Sequence, residues 1–149
     1  MLGKISVVFA TWDIFVSATL TGLSTGDAMP FRENETLGQK LRRVAALRAS
    51  DVTDGGLLAS LQSHISTSIE IADERNRYIH DQWIFNAGDV SAGRIKRAKM
   101  SYVPTLKGEW RVMTLPELEQ FAETVVKAQG PFAAAAQQLH PGKFNVSDV

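Results

Sequence analysis

The chain has 149 residues, the size of one domain with a single hydrophobic core. Its apolar fraction of 44% and charged fraction of 21% exclude an intrinsically disordered chain. Because 16 Lys and Arg balance 16 Asp and Glu, the net charge provides no long-range attraction to nucleic acid or to an anionic membrane. The absence of cysteine excludes disulfides and thiolate metal sites and agrees with a reducing compartment.

The first 23 residues are apolar, and Lys4 near their start gives them a superficial likeness to a signal peptide. Asp13 interrupts the apolar run, no small-x-small cleavage site follows, and the surrounding hydroxyl residues argue against a membrane span. We therefore expect an ordinary helix over residues 5–23, no membrane, and a cytoplasmic protein. Apolar residues at 5, 8, 9, 12, 15, 16, 20 and 23 predict its buried face, and Gly22 is expected to help stop it.

Two more helical patterns follow. Residues 36–49 place Leu37, Leu41 and Val44 inward and carry a basic outer side. The longest pattern covers residues 57–83, and either Asp51 or Asp54 is suited to cap its start. Its predicted inward stripe consists of Leu58, Leu61, Ile65, Ile69, Ala72, Asn76, Ile79 and Trp83. Asn76 takes the place of a hydrophobe there, and a buried amide without a partner costs about 1–3 kcal/mol.

The chain changes character after residue 83. Turn-rich segments and alternating residues predict a β-hairpin at about residues 86–113, with strands at 93–103 and 108–113. A capping box at Thr114 and Glu117 starts a final helix. Gly130 and Pro131 should end or kink this helix, and a last helical segment is expected at residues 132–139. The tail from residue 141 should be loose. We predict a mainly α fold in one domain over residues 1–149, an antiparallel four-helix bundle with the β-hairpin between its third and fourth helices.

Three residues near the end of the third helix carry the clearest chemistry. Arg75, Asn76 and His80 form an Arg-Asn-x-x-x-His motif. Histidine titrates near neutral pH and can take the proton of a ribose 2′-hydroxyl or return one to the leaving oxygen. Arginine offers a cationic fork for phosphate oxygens, and asparagine can hold either partner in place. The motif therefore predicts a ribonuclease site that needs no metal and no cofactor, with all three residues catalytic.

Helical geometry adds a condition to this prediction. Positions five apart on an ideal helix diverge by roughly 140°, so Arg75 and His80 do not meet within one regular helix. They converge more easily when two copies of the helix face one another and each site collects residues from both chains. We therefore expect a homodimer with Asn76 and His80 near its two-fold axis.

The motif resembles the active-site motif of the HEPN superfamily, the higher eukaryote and prokaryote nucleotide-binding domains. Arg75, Asn76 and His80 match the family's motif positions, and the helix count and the motif's place in the penultimate helix are similar. The layout also resembles small bacterial and phage HEPN-like proteins that insert strands after the histidine. The resemblance implies a bundle that dimerises through the motif helices. It further implies RNA binding and the activity of a metal-independent toxin or phage-defence ribonuclease.

One position departs from the family pattern. In some members a tyrosine follows the histidine by two residues and is modified by a partner nucleotidyltransferase, whereas this chain has Gln82. The difference puts that type of toxin–antitoxin pairing in doubt. An antitoxin or a nucleotidyltransferase nevertheless stays a candidate partner. The alternative function is a non-catalytic dimeric binding or adaptor module. In that case the Arg75, Asn76 and His80 cluster is structural and sets the dimer register.

A second candidate site is the basic part of the predicted hairpin. Its cations are Arg94, Lys96, Arg97, Lys99, Lys107 and Arg111. Tyr102 and Trp110 belong to the same segment and can stack on bases, which predicts an RNA-binding surface. The alternative is a solvated hairpin whose lysines protect an edge strand from aggregation.

Three other polar residues have weaker functional indications. Asp13 interrupts an apolar helix, so it is either exposed or paired, and Lys40 is an available partner. His64 and His140 lack neighbours at metal-ligand spacing, so no metal site is predicted and His64 is interpreted as structural or exposed.

Overall fold

In a computed structural model of the chain, the described residues are 2–25, 34–80, 82–84, 87–98 and 110–144. The mainly helical fold predicted from the sequence is confirmed, and the helices pack as a bundle. A 3-10 turn at Ala49–Asp51 connects the second helix to the third. The elements in chain order are α1 (Leu2–Leu23), α2 (Leu37–Ala46), α3 (Gly55–Gln62), α4 (Ile65–His80), β1 (Gln82–Ile84), α5 (Ala87–Ser91), β2 (Arg94–Ala98), β3 (Trp110–Thr114) and α6 (Leu115–Leu139).

Helix α1 supplies the centre of the core, and its predicted inward face is confirmed. Trp12 is fully buried, and its ring centroid lies 5.4 Å from that of Phe9 and 6.3 Å from that of Phe132 in α6. Burial of one large apolar side chain stabilises the fold by about 1.5–3 kcal/mol, so this cluster holds α1 against α6. The buried residues of α1 are Ile5, Phe9, Trp12, Phe15, Val16, Thr19, Leu20 and Leu23.

The ends of α1 and α6 approach each other closely at Gly22. A Cβ atom at position 22 would lie only 2.7 Å from the Cβ atom of Leu139. Beside it, the Nε2 atom of His140 lies 2.9 Å from the carbonyl oxygen of Ala18, a hydrogen-bonding distance. Gly22 therefore allows a helix–helix contact and lies inside α1, which differs from its predicted role as a stop.

The predicted third helix is interrupted, because α3 ends at Gln62 and α4 begins at Ile65. The hydroxyl of Ser63 donates to the carbonyl oxygen of Ser60 at 2.6 Å, and the amide of His64 donates to that of Leu61 at 3.0 Å. These local bonds replace the regular helical pattern with a tighter turn. Sequence periodicity continues across such a turn, so it did not reveal the interruption.

The inward stripe predicted for residues 57–83 is largely confirmed at its start, whereas its last residue lies outside the helix. Asp54 caps α3 by accepting from the amide of Leu57 at 2.8 Å, which confirms one of the two candidate caps. Trp83 lies in β1 and not in the motif helix. Of the predicted stripe, Leu58, Leu61, Ile65 and Ala72 are buried, while Ile69 and Asn76 are half-buried.

Helix α6 begins at the predicted capping box. Thr114 Oγ1 accepts from the amide of Glu117 at 3.3 Å, and Glu117 Oε2 accepts from the amide of Thr114 at 2.7 Å. The helix then continues through Gly130 and Pro131, where the sequence favoured an end or a kink. Side chains beyond the proline pack into the core and compensate for the hydrogen bond that proline cannot donate. They are Phe132, Ala133, Ala135 and Ala136.

The three strands form one antiparallel sheet in the order β1-β2-β3. β2 and β3 occupy the positions of the two predicted hairpin strands, and β3 leads directly into α6. Residues 99–109, which connect them, lie outside the described residues. The hairpin itself therefore stays a prediction.

Candidate functional site beside α4

Helix α4 contains all three motif residues. Arg75 and Asn76 are half-buried and continue the buried side of the helix, whereas Asp73 and Arg77 are exposed. His80 is the last residue of α4. Its backbone position is about 40° from that of Asn76 around the helix axis.

Within one chain, Arg75 and His80 occupy different positions around and along α4. Because α4 is a regular helix between them, their positions differ by about 140° in direction and about 7.5 Å along the axis. Arg75 packs on α1, so its side chain is held on the inner side of the bundle. The assembly of all three motif residues at one site therefore stays a prediction that rests on the expected dimer.

The Arg75 guanidinium is partly desolvated. Its Cζ atom lies 4.9 Å from the ring centroid of Phe9, the geometry of a cation–π contact. Nη1 donates to Oδ1 of Asn76 at 3.3 Å, whereas Nε is buried without a hydrogen-bond partner. Burial lowers the pKa of Arg75, and the nearby negative charge of Asp13 opposes this effect. Within the described residues no carboxylate lies at salt-bridge distance from Arg75.

Arg75 and Asn76 line a pocket with a volume of about 340 Å³. The pocket lies between α1, α4 and the segment that leads into α2. Its volume is at the lower end of the range typical of small-molecule sites. The other lining residues are Phe9, Ala10, Asp13, Glu35, Thr36, Leu37, Gly38 and Ala72.

Both carboxylates that line the pocket are paired with cations. Asp13 Oδ2 accepts from Lys40 Nζ at 2.8 Å, which confirms the pairing considered from the sequence. Lys40 also donates to the hydroxyl of Ser17 at 2.9 Å. Glu35 forms an ion pair with Arg43. The positive charge of Arg75 is therefore not needed to neutralise either carboxylate.

The first turn of α2 adds to the positive potential of the pocket. Thr36 Oγ1 accepts from the amide of Gln39, and Gln39 Oε1 accepts from the amide of Thr36, so the two residues form a capping box. Leu37 and Gly38 belong to the first turn, whose amides have no acceptor within the helix. The Thr-x-x-Gln spacing of residues 36–39 indicates this cap, but it was not among the features predicted from the sequence. Nothing in the sequence distinguishes Phe9 from other core residues.

The predicted RNA-binding cations are divided by the strand register. Arg97 is paired with Arg111, while Arg94 and Lys96 pair with Thr114 and Val112. Because successive strand residues alternate between faces, Arg97 and Arg111 belong to one face and Arg94 and Lys96 to the other. The four cations of this group that lie in the described strands therefore do not share one face of the sheet. Lys99, Tyr102 and Lys107 lie outside the described residues.

The other two histidines do not line this pocket. His64 is exposed in the turn before α4, and His140 contacts the backbone of α1. In the part of the chain that the structure describes, no three His, Cys, Asp or Glu residues form a group suited to a metal ion.

No protein-family model, no curated protein and no solved structure matches the chain significantly.

Proposed function

We propose that the chain is a HEPN-like RNA-binding protein that acts in the cytoplasm as a homodimer, with a composite metal-independent endoribonuclease site. The observation that carries this proposal is the state of Arg75. Its guanidinium is half-buried, has no carboxylate partner among the described residues and lines a pocket. A cation held in this way is preorganised and weakly hydrated, which suits it to stabilise charge that develops on a phosphate.

The motif residues take different roles in this proposal. His80 is the general acid or base, because imidazole exchanges protons near neutral pH. Arg75 stabilises the charge of the phosphorane, and Asn76 holds the guanidinium through the bond to its Nη1 atom. Since Arg75 and His80 diverge on one α4 helix, each site combines Arg75 of one chain with the histidine of its partner.

Incubation of the purified protein with mixed RNA in the presence of EDTA tests the proposal. We expect cleavage that is lost in His80→Ala and in Arg75→Ala. His64→Ala and Arg77→Ala are matched controls, since they remove an exposed histidine and an exposed arginine of the same region. Absence of cleavage by the folded wild-type protein, or equal cleavage by His80→Ala, would show that this nuclease proposal is wrong.

The sheet is proposed to bind the RNA through one of its faces. Two double variants separate the faces, Arg97→Glu with Arg111→Glu and Arg94→Glu with Lys96→Glu. We expect one pair to weaken RNA binding and to lower the salt slope by about 2, because two phosphate contacts are lost. The other pair then serves as the control. If neither double variant changes the RNA affinity or its salt slope, these cations are only solvated and do not bind RNA.

The second candidate is a non-catalytic dimeric adaptor, favoured by one observation. The contacts of Arg75 with Phe9 and Asn76 exist within a single chain, so they can serve packing alone. An adaptor would form dimers without cleaving RNA. An antitoxin or a nucleotidyltransferase is a candidate partner under either function, and a pull-down from the source cell with the His80→Ala variant tests it.

A further inference from the structure

The charged groups around the pocket beside α4 are not fully paired with one another. Asp13 is neutralised by Lys40, and Glu35 by Arg43. Arg75 therefore adds a positive charge that no described carboxylate pairs with, and the first turn of α2, which also lines the pocket, adds partial positive charge. When each lining carboxylate is counted with its ion-pair partner, the two pairs cancel and the positive charge of Arg75 is left to attract an anion.

The hydrogen-bonding capacity of Arg75 is also largely unused. A guanidinium has five N–H donors, and within the described residues only the bond to Asn76 engages one of them. Its Nε atom is buried without a partner. An unmet donor on a partly desolvated cation costs stability, and a ligand in the pocket that Arg75 lines would offset part of this cost by accepting from the guanidinium.

We propose that this pocket binds a small anion through an oxyanion group, phosphate or carboxylate, with Arg75 as its cationic contact. The pocket is large enough for a compact organic anion and has an apolar wall at Phe9 and Ala72. Planar carboxylates and phosphates match the geometry of a guanidinium fork. The site is contained in one chain, so it requires neither the dimer nor RNA cleavage.

Titration of the ¹⁵N-labelled protein with inorganic phosphate and, separately, with acetate measures this binding. Sodium chloride at equal ionic strength is the reference, because it controls for general screening. We expect saturable shifts of the Gly38 amide and of the Arg75 Nε–H resonance with at least one of the two anions. The stronger ligand identifies whether the site prefers phosphate or carboxylate.

Two variants test the assignment in independent ways. Arg75→Gln removes the charge and should weaken the affinity at least about tenfold, as expected for the loss of a hydrogen bond to a charged group. Ala10→Phe fills the pocket from an exposed position of α1 and should also abolish binding. Arg77→Gln and Ala134→Phe are the matched controls for charge and for size, since both positions are exposed and away from the pocket.

Loss of the shifts in Arg75→Gln and Ala10→Phe, with retention in both controls, would support the site. Absence of saturable shifts with either anion in the millimolar range would overturn it. Equal affinity in Ala10→Phe and wild type would also overturn it, even if Arg75→Gln does not fold. Anion binding without RNA cleavage would remove the nuclease proposal alone, and cleavage without anion binding would remove this one alone.

Discussion

At the scale of single residues, the packing around Arg75 leaves part of its hydrogen-bonding capacity unmet. Lys40 is half-buried with a carboxylate and a hydroxyl as partners, whereas Arg75 has a ring face and one amide oxygen. A partly buried charge that lacks full compensation reduces stability. Residues that carry such a cost are frequently functional.

This comparison predicts a stability measurement. Arg75→Met should leave the free energy of unfolding within about 1 kcal/mol of wild type, or raise it, because an apolar side chain of similar length needs no compensation. Urea denaturation followed by circular dichroism measures the change. Lys40→Met is the control and should cost about 1–3 kcal/mol, since it leaves the Asp13 carboxylate without its partner. A loss of more than about 2 kcal/mol in Arg75→Met would instead identify Arg75 as a structural residue.

At the scale of elements, the helix caps at Asp54 and Thr114 were predicted from the sequence and are confirmed by the structure. The box at Thr114 and the cap at Asp54 depend on residues three apart, so local geometry decides them. The break at Ser63 and His64 and the continuation through Pro131 depend on what the helix packs against. Periodicity alone therefore gave a third helix that was too long and a last helix that was too short.

The cap of α6 can be tested by a matched pair of substitutions. Thr114→Ala should lower the free energy of unfolding by about 1 kcal/mol, because the amide of Glu117 loses its acceptor. Thr124→Ala changes the same residue type at an exposed position inside α6 and should be neutral or slightly stabilising. Equal losses in both variants would show that the capping box does not stabilise α6.

At the scale of the whole molecule, α1 combines two properties. Its residues Ile5–Leu23 are long and apolar enough to cross a membrane, with a mean hydropathy of 1.5. One side of the helix is buried against α6, while Val7 and Ile14 are 67% and 56% exposed on the other side. The cytoplasmic location stays a proposal.

The assembly itself gives a prediction that does not depend on catalysis. Light scattering at about 50 µM should give the mass of a dimer, because the composite site needs two chains. His80→Glu places two carboxylates near the predicted two-fold axis and should shift the protein towards the monomer. His64→Glu, in the exposed turn before α4, should not. A wild-type monomer at this concentration would contradict the dimer.

The sequence by itself determined the helical class, the buried face of α1, the caps at Asp54 and Thr114 and the pairing open to Asp13, because each depends on spacing or residue type along the chain. It also indicated the candidate motif, whose function stays a proposal. Only the tertiary structure decided that Arg75 packs on Phe9, that its pocket includes the start of α2, and that Trp83 belongs to a strand. These features join residues far apart in the chain, and local periodicity carries no information about which distant surfaces meet.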